Sequence, residues 1–459
     1  MNQIKINPNI FKKYDIRGTY PEELDDEIAY WIGQNFALYT KAKTIIVGYD
    51  CRISSPSLRD AVIKGITDQG ANVIDIGLCS TSCFYFTLGE SGLDAGIMVT
   101  ASHAGKKFNG FKPMLKDSTP LSKEQVLDFK KVVLENQSPA TKIKGKITKQ
   151  DPIENYVNAV RKSIKEKIKP LKVVMDPGNG TAGLYIEKVF LGTGVSIVPI
   201  FFEPDGNFPN HETDAKIPEN RKKLAKKIIS EKADLGFMFD GDADRMAVLD
   251  RNGDLINYSL VAAIIAEYMV KNSSKKKVVH EVRTSKIVRQ WVERIGGSVE
   301  ISVCWTIPQK LKMKKDSEII FGSETSGHYI FPEMHDSDDG ILGALTFLQA
   351  ISVKKESVDE IIKNFNDNYF VLGEQNFKIN NLAEAKKILE KLKNKYLVER
   401  AQILEIDGLS AIFPDWWFNL RASETLPFIR LNLEADSKKL FEEKKEEVIH
   451  FIEKEIIEN

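Results

Sequence analysis

Three carboxylates occupy alternate positions in the run FDGDADR at residues 239–245. Oxygen ligands this close together on a short backbone suit a hard cation such as Mg²⁺, and the arginine that follows suits a phosphate bound beside the metal. A calcium loop of the EF-hand type is excluded, because Arg245 stands where the loop needs glycine and Arg251 where it needs a bidentate glutamate. An aspartyl-phosphate phosphatase with Asp240 as nucleophile and a solvated acidic turn both stay open on these residues alone.

A serine in a second loop is a candidate for carrying a phosphoryl group. Ser102 lies just past an apolar run that ends at Val99, with His103 beside it and Gly105 and Gly110 nearby. Serine and glycine also favour a helix cap or a turn, which remains the alternative interpretation. The chain has no Gly-x-Ser-x-Gly elbow, which argues against an esterase.

Two further loops contain groups suited to a phosphorylated sugar. The run GSETSGH at 322–328 combines a carboxylate, hydroxyls and an imidazole on a glycine turn, which suits sugar hydroxyls, although a surface turn explains it equally well. The run RASETLP at 421–427 places a guanidinium near two hydroxyls, an arrangement that suits a phosphate dianion.

The elements that must position these loops follow a repeated pattern. Short apolar strands alternate with helical patterns, which is typical of an α/β protein. A strand leading into a polar loop occurs three times, at Thr44–Asp50, Lys172–Asp176 and Lys277–Val282. Each is followed by a second strand, and these second strands end after Val99, Phe239 and Phe321. The pattern predicts three related α/β domains that each offer a loop from a strand end, where ligands commonly bind in open α/β sheets.

Composition shifts suggest where these domains begin and end. The segment 137–150 is rich in lysine, serine and threonine, which predicts a linker or an exposed hairpin. We expect domains at 1–150, 151–256, 257–367 and 368–459. Within the last one, the sequence predicts helices at Leu382–Tyr396 and Lys438–Ile457 and strands near Ala401–Ile406 and Phe428–Leu433.

Length and charge exclude several classes of protein. The 459 residues indicate about three domains. Basic and acidic residues number 65 each, so no global field attracts nucleic acid or an anionic membrane. No apolar run approaches the ~20 residues of a membrane span, and the first residues lack the core of a secretion signal. The four cysteines (Cys51, Cys79, Cys83 and Cys304) show no paired zinc spacing, so we expect reduced, mostly buried thiols and a cytoplasmic location.

Taken together and in this order, the four loops resemble those of the α-D-phosphohexomutase superfamily, and the sequence is similar to its phosphomannomutase/phosphoglucomutase branch. The resemblance covers nearly the whole chain and includes the runs IFKKYDIRG at 10–18, DGNFPNH at 205–211 and RLNLEA at 430–435. It implies three similar α/β domains with mixed sheets and a smaller C-terminal α+β domain around a central cleft.

The resemblance also implies an activity and a role for particular residues. Family members move phosphate between O1 and O6 of a hexose, here mannose or glucose, using a phosphoserine, Mg²⁺ and a hexose 1,6-bisphosphate that serves as intermediate and activator. Ser102 would carry the phosphate and share the metal with Asp240, Asp242 and Asp244. Further catalytic groups would be His103, Lys112, Arg245 and His328. Substrate would be bound by Tyr14, Arg17, Glu324, Ser326, Arg421, Ser423, Thr425 and Arg430.

Some residues depart from the usual family pattern. Ala104 and Gly105 replace Asn-Pro, Ser323 replaces glycine, and Glu424 replaces asparagine, while the run CWTIP at 304–308 lacks the usual glycine. These changes bear on substrate affinity and identity more than on the reaction type. Phosphoglucosamine mutase is the alternative within the class, followed by a sugar-phosphate phosphatase or a sugar-phosphate-binding protein. We expect small hexose phosphates as ligands, no nucleic-acid or membrane partner, and a monomer or small homo-oligomer.

Overall fold

A computed structural model describes residues 6–135, 141–423 and 426–458, which form four sheets flanked by helices. The first sheet has the strand order β1-β5-β4-β2-β3-β7, with β6 paired to β5. Its strands are β1 Ile16–Thr19, β2 Thr44–Tyr49, β3 Asn72–Leu78, β4 Ala95–Val99, β5 Phe108–Leu115, β6 Thr119–Pro120 and β7 Ile147–Lys149. Its helices are α1 Asp26–Thr40, α2 Ser55–Asp68, α3 Thr81–Ser91 and α4 Lys123–Glu135.

The second and third sheets follow along the chain. The second region comprises α5 Ile153–Lys162, β8 Lys172–Asp176, α6 Ile186–Phe190, β9 Ser196–Pro199, α7 Pro218–Glu231, β10 Leu235–Phe239 and β11 Met246–Asp250. The third comprises α8 Tyr258–Lys271, β12 Lys277–Glu281, α9 Lys286–Arg294, β13 Ser298–Ser302, α10 Thr306–Lys315, β14 Ile319–Glu324, β15 His328–Phe331, β16 Ser337–Asp338, α11 Gly340–Val353 and α12 Val358–Asn368.

The fourth region is a smaller α+β unit. Its five-stranded sheet is antiparallel throughout, in the order β17-β21-β20-β19-β18. Its elements are β17 Phe370–Lys378, α13 Leu382–Val398, β18 Gln402–Leu404, β19 Leu409–Ile412, β20 Trp416–Ala422, β21 Phe428–Ala435 and α14 Lys438–Glu458. The amphipathic α14 buries Val448 and Ile452 in a core separate from those of the first three regions.

The first three sheets share one topology. Their matching portions read β5-β4-β2-β3, β11-β10-β8-β9 and β15-β14-β12-β13. In each portion the last three strands of this order run parallel. The first strand of the order (β5, β11 or β15) is antiparallel to the neighbour that precedes it in the chain (β4, β10 or β14). The expected threefold repeat of α/β domains with mixed sheets is therefore confirmed. Because the two central strands of each repeat are parallel neighbours, the loops that follow them lie together at one edge of the sheet.

One apolar core holds the strand ends of all three repeats. Met98 of β4, Phe239 of β10 and Phe321 of β14 belong to the same buried cluster. The helices α8 and α11, which are buried on nearly every side, run through this cluster. Such continuous packing sets the three loop-bearing edges relative to one another.

Two local expectations were wrong. Ile147–Lys149, within the segment expected to be a linker or hairpin, forms the edge strand β7, which pairs parallel with β3. All three residues of β7 are exposed, so no apolar alternation marks the strand, and residues 136–140 lie outside the described chain. The strand expected to end after Phe321 continues to Glu324, because its antiparallel ladder with β15 extends to His328.

Within the fourth region, the two helices and two strands expected from the sequence are confirmed, whereas β17, β19 and β20 were not anticipated. Among the residues described, no helix is both long and apolar enough to cross a bilayer.

Candidate active site

The aspartate run forms a compact, buried oxygen cluster at the end of β10. Carboxylate oxygens of Asp240, Asp242 and Asp244 lie within 4.8 Å of one another. The turn that brings them together places Ala243 in the left-handed region, at φ 62°. Burial and the two neighbouring carboxylates raise the pKa of Asp240 well above its usual value. Such a cluster calls for a cation.

The donor set fits a hard metal ion. All three side chains offer oxygen ligands, and Asp242 Oδ1 is buried with no hydrogen-bond partner in the described chain. An overlapping cluster of Asp244, His328 and Asp338 contains an imidazole. Because Mg²⁺ binds oxygen ligands, the three aspartates are the better match for it.

Lys112 supplies positive charge to the same cluster from the first domain. Its Nζ lies 2.7 Å from Asp242 Oδ2 and 2.6 Å from Asp244 Oδ2. Burial works against the charged amine, yet the two carboxylates together raise the pKa of Lys112 well above its usual value. The loop of β10 and the strand β5 are thus joined by an ion-paired contact.

Ser102 meets the aspartates from the loop after β4. Its Oγ donates a 2.8 Å hydrogen bond to Asp240 Oδ2 and lies 3.3 Å from His103 Nδ1. The residue is 2% exposed and has a φ of 52°, an uncommon conformation for serine. The loop conformation therefore holds the Ser102 hydroxyl against the aspartate cluster.

Arg245 lies between the two histidines of the site. Its Nε is 3.6 Å from Asp240 Oδ2 and 3.2 Å from His328 Nε2. The charge on Arg245, followed by burial, lowers the pKa of His103 far below its usual value. His103 is consequently a neutral imidazole at physiological pH.

His328 has the opposite electrostatic character. Burial and Arg245 oppose its protonation, but Asp244 and Glu324 outweigh them and raise the pKa of His328 to about 9. Ser326 Oγ lies 2.7 Å from His328 Nδ1, so the loop at residues 322–328 orients the imidazole ring. The two histidines therefore lie in opposite electrostatic environments: that of His103 disfavours the protonated imidazole, and that of His328 favours it.

Glu324 connects the metal region to an arginine that sequence analysis did not identify. Glu324 Oε1 lies 3.2 Å from Arg283 Nη2, and Arg283 also pairs with Glu281 at 2.7 Å. Thr325 turns toward Glu281, to which its Oγ1 donates a 2.5 Å hydrogen bond. A signal for Arg283 existed, because it follows the strand Lys277–Val282, which the repeat pattern had already picked out.

A second cluster gathers three arginines around one carboxylate. Glu374 lies 2.8 Å from Arg421, 3.0 Å from Arg430 and 3.3 Å from Arg283. Burial opposes ionisation of Glu374, but the three guanidinium groups outweigh it and lower the pKa of this carboxyl. No sequence signal pointed to Glu374, because strand β17, which carries it, was not predicted.

Of the remaining substrate-binding candidates, Ser423 joins the arginine cluster, Arg17 lies near His103, and Tyr14 contacts the third domain. Arg430 Nη2 donates a 3.4 Å hydrogen bond to Ser423 Oγ, whereas Thr425 and Glu424 lie outside the described residues. Tyr14 packs its ring 6.1 Å from that of Trp305, so the N-terminal segment meets the third domain. Arg17 pairs with Asp15 at 2.6 Å and contributes to the low pKa of His103.

The structure thus brings the candidate residues into two contiguous groups. The serine, the aspartates, Lys112, Arg245 and both histidines form one, and the arginines around Glu374 form the other. Arg283 bridges them through its contacts with Glu324 and Glu374. The arrangement can hold a metal ion, an activated hydroxyl and, at a distance, a separate anion.

Comparison with known proteins agrees with this arrangement. Models of phosphoglucomutase/phosphomannomutase alpha/beta/alpha domains I, II and III match residues 8–139, 154–253 and 258–369. The phosphomannomutase of Vibrio cholerae is 35% identical over 97% of this chain and 98% of its own length. The phosphoglucomutase of Neisseria gonorrhoeae is 32% identical over 95% of each chain.

A solved structure shows the same overall arrangement. The phosphoglucomutase/phosphomannomutase family protein of Burkholderia thailandensis superimposes with a TM-score of 0.88, at 28% identity and with 98% of each chain covered. With three domain models and relatives spanning almost the full length, the chain belongs to the phosphoglucomutase/phosphomannomutase family of the α-D-phosphohexomutase superfamily and is an isomerase.

Proposed function

We propose that the protein interconverts the 1-phosphates and 6-phosphates of mannose, glucose or both, through a phosphoserine at Ser102 and a hexose 1,6-bisphosphate. The observation that carries this proposal is the contact between the Ser102 hydroxyl and Asp240, the first residue of an all-oxygen metal cluster. The family relationship supports hexose phosphates as substrates.

The reaction would consist of two transfers at one serine. In the first, the bond between Ser102 Oγ and phosphorus breaks and a bond from phosphorus to the free sugar hydroxyl forms; that hydroxyl loses its proton, and the released Ser102 Oγ takes one up. In the second, the bisphosphate presents its other phosphate, which returns to Ser102 Oγ; the serine hydroxyl loses its proton, and the released sugar oxygen takes one up. His103 has the neutral form needed to accept a proton, whereas Lys112 and His328 bear charge that stabilises the transferring phosphate.

We further propose that Asp240, Asp242 and Asp244 hold Mg²⁺ together with an oxygen of the phosphorylated Ser102. The oxygen-only donor set and the unpartnered Asp242 Oδ1 support this choice of metal. When bound, Mg²⁺ would neutralise charge on the phosphoryl group and orient it for in-line transfer. Arg245, 3.6 Å from Asp240, would add a charge-assisted contact to the same group.

The arginine cluster would hold the phosphate that is not reacting. Arg421 and Arg430, with Ser423, lie on the fourth domain, away from the serine. A fixed anion site allows the sugar to turn and present either O1 or O6 to the same reactive group. Glu324 and Ser326 would bind sugar hydroxyls between the two phosphates, and Tyr14 and Arg17 would line the cleft. Thr425 is retained as a candidate from the sequence.

Other features of the protein remain proposals. Added hexose 1,6-bisphosphate would act as an activator by rephosphorylating Ser102. All four cysteines are free thiols, which favours a reducing compartment, and we propose the cytoplasm. We also retain a monomer or small homo-oligomer as the expected assembly.

The decisive experiment measures turnover of mannose 1-phosphate, glucose 1-phosphate and glucosamine 1-phosphate with Mg²⁺ and the matching bisphosphate. We expect turnover of mannose or glucose phosphate, phosphate on the Ser102 peptide by mass spectrometry, and loss of both in Ser102→Ala. Preferential turnover of glucosamine 1-phosphate would instead favour the alternative mutase. Full activity in Ser102→Ala, with release of inorganic phosphate, would point to a phosphatase that uses Asp240, and binding without turnover would point to a binding protein.

A further inference from the structure

Arg52 uses four of its five N–H donors to hold the loop of Ser102 and the fifth to pair with Asp50. The side chain is 1% exposed and follows β2. Its Nη2 donates to the carbonyls of Ser102 and Ala104, at 2.5 and 2.7 Å, and its Nη1 to those of Gly105 and Phe108, both at 3.0 Å. Its Nε donates to Asp50 Oδ2 at 3.1 Å. A guanidinium has five N–H donors, and all of them are engaged.

These bonds constrain a backbone that would not hold its shape unaided. Ser102 adopts the left-handed region at φ 52°, a conformation that a non-glycine residue rarely keeps without support from its surroundings. The carbonyls that accept from Arg52 are that of this strained residue itself and those of three residues that follow it, the last at the start of β5. A single rigid fork therefore sets the shape of the loop from residue 102 to residue 108.

The ion pair of Arg52 with Asp50 is connected to the aspartate cluster through Thr100. Asp50 accepts hydrogen bonds from Ser55 Oγ at 2.5 Å and Thr100 Oγ1 at 2.8 Å, as well as from Arg52. The same Thr100 hydroxyl lies 3.1 Å from Asp242 Oδ2. The arginine and its aspartate thus sit in one network with the serine loop and the aspartate run.

A segment of the second domain covers this arginine. The guanidinium carbon of Arg52 lies 5.4 Å from the centre of the Phe208 ring. Gly206 approaches so closely that a β-carbon there would lie 2.4 Å from the Cys51 carbonyl oxygen. The interior location and the aromatic cover exclude water, which would otherwise compete for the loop carbonyls.

We propose that Arg52 is a positioning residue that keeps the Ser102 hydroxyl, and the phosphoserine formed on it, aligned with the aspartate cluster through both phosphoryl transfers. This inference rests on the proposed mutase function. Among the residues that the structure describes, Arg52 makes no hydrogen bond or ion pair with the substrate-binding candidates, so its effect should fall on the transfer steps and not on binding at the arginine cluster.

The test compares Arg52→Lys with a matched control, Arg59→Lys. Lysine keeps the charge beside Asp50 but has only three donors on one nitrogen and cannot reproduce the fork. Arg59 is another arginine of the first domain, partly buried where Arg52 is fully buried. It pairs with Asp75 at 3.3 Å and lies 5.0 Å from the Tyr49 ring, and within the described part of the chain it makes no ion pair with the serine loop.

We expect Arg52→Lys to lower kcat roughly 10- to 100-fold while KM for the hexose phosphate changes less than about threefold, because misplacement of a reacting atom acts on the transfer step. We also expect a larger share of the phosphoenzyme to lose its phosphate to water. Arg59→Lys should change none of these. Equal kcat in the two variants, or a loss in Arg52→Lys that only follows the fraction unfolded, would overturn the inference.

A second measurement separates this inference from the proposed function. Amide hydrogen exchange in residues 100–108 reports the hold on the loop without requiring turnover. We expect about tenfold faster exchange there in Arg52→Lys, a smaller increase in Phe208→Leu, and none in Arg59→Lys. If the wild-type protein turns over no hexose phosphate, the proposed function fails while this exchange result still stands. Unchanged hydrogen exchange in Arg52→Lys would show that Arg52 does not hold the serine loop.

Discussion

The Ser102 hydroxyl donates a 2.8 Å hydrogen bond to Asp240 Oδ2, although the two residues are 138 positions apart in the chain. Ser102 lies in the first domain and Asp240 in the second, so this contact exists only when these domains are packed together. Lys112 makes the same crossing to Asp242 and Asp244. The site is therefore formed at the interface between the first and second domains. Substitutions that loosen this interface should reduce activity as well as stability.

Removal of the metal should stop turnover. We expect a chelator to abolish activity, Mg²⁺ to restore it, and Asp242→Asn to raise the Mg²⁺ concentration for half-maximal activity at least about tenfold, because one charged oxygen ligand is lost. Titration of activity with Mg²⁺ measures the effect. Asp94→Asn, an exposed change in the first domain, serves as the control. Undiminished activity in the chelator would contradict the metal assignment.

Lys112→Met should link catalysis to metal-dependent stability. The ammonium group lies between two buried carboxylates, so its removal leaves their repulsion uncompensated. We expect kcat to fall at least about 100-fold and the melting temperature to drop without metal, with partial recovery in Mg²⁺.

The control for that change is Lys222→Met, which removes an exposed lysine paired with the exposed Glu219 at 2.6 Å. Exposed pairs contribute little to stability, so its melting temperature should stay near that of the wild type. A Lys112→Met protein as stable as the control in metal-free buffer would show that the aspartates do not need the ammonium group.

Glu374→Gln should strengthen substrate binding. This carboxylate already pairs with Arg283, Arg421 and Arg430, which are the groups proposed to receive a phosphate. Removal of its charge frees three guanidinium groups from an internal competitor. We expect KM for the hexose phosphate to fall several-fold, measured by steady-state kinetics. Glu405→Gln is the control, since Glu405 pairs with Lys393 on the same domain. A higher KM would mean that Glu374 orients the arginines instead of competing for them.

Asp339 should make stability depend on pH. Burial raises its pKa to about 7 even though Leu342 N–H, Tyr156 and Ile341 N–H donate to it. Because the pKa of Asp339 is higher in the folded than in the unfolded protein, its protonation stabilises the fold. This contribution is complete at pH values below the pKa of the unfolded state and is lost as pH rises through about 7. Between pH 5 and 8 the loss amounts to about 3 kcal/mol.

The test is Asp339→Asn, which keeps the helix cap and removes the titration. The advantage of the wild type over the variant in melting temperature should shrink from pH 5 to pH 8. Asn381→Ser, which exchanges one uncharged cap of α13 for another, should show no such trend. A pH-independent difference for Asp339→Asn would reject the raised pKa.

Much of the fold followed from local patterns. Runs such as Leu235–Phe239 are apolar on both faces, which identifies buried parallel strands, and the spacing of these runs revealed the threefold repeat. The edge strand β7 escaped notice because its residues are all exposed. In the fourth domain, β17 alternates weakly between exposed and half-buried positions, so its pattern did not stand out and Glu374 was missed with it.

The sequence by itself determined which residues could act, since an aspartate run, a serine after a strand and an arginine beside hydroxyls keep their chemistry in any fold. Only the tertiary structure decided which of them meet. Contacts over more than a hundred positions, such as Ser102 with Asp240 and Lys112 with Asp244, depend on how the repeats pack around one core. The same packing buries Arg52 against four loop carbonyls and turns Glu374 toward three arginines, because burial and charge pairing are properties of the assembled domains and leave no periodic signal in the chain.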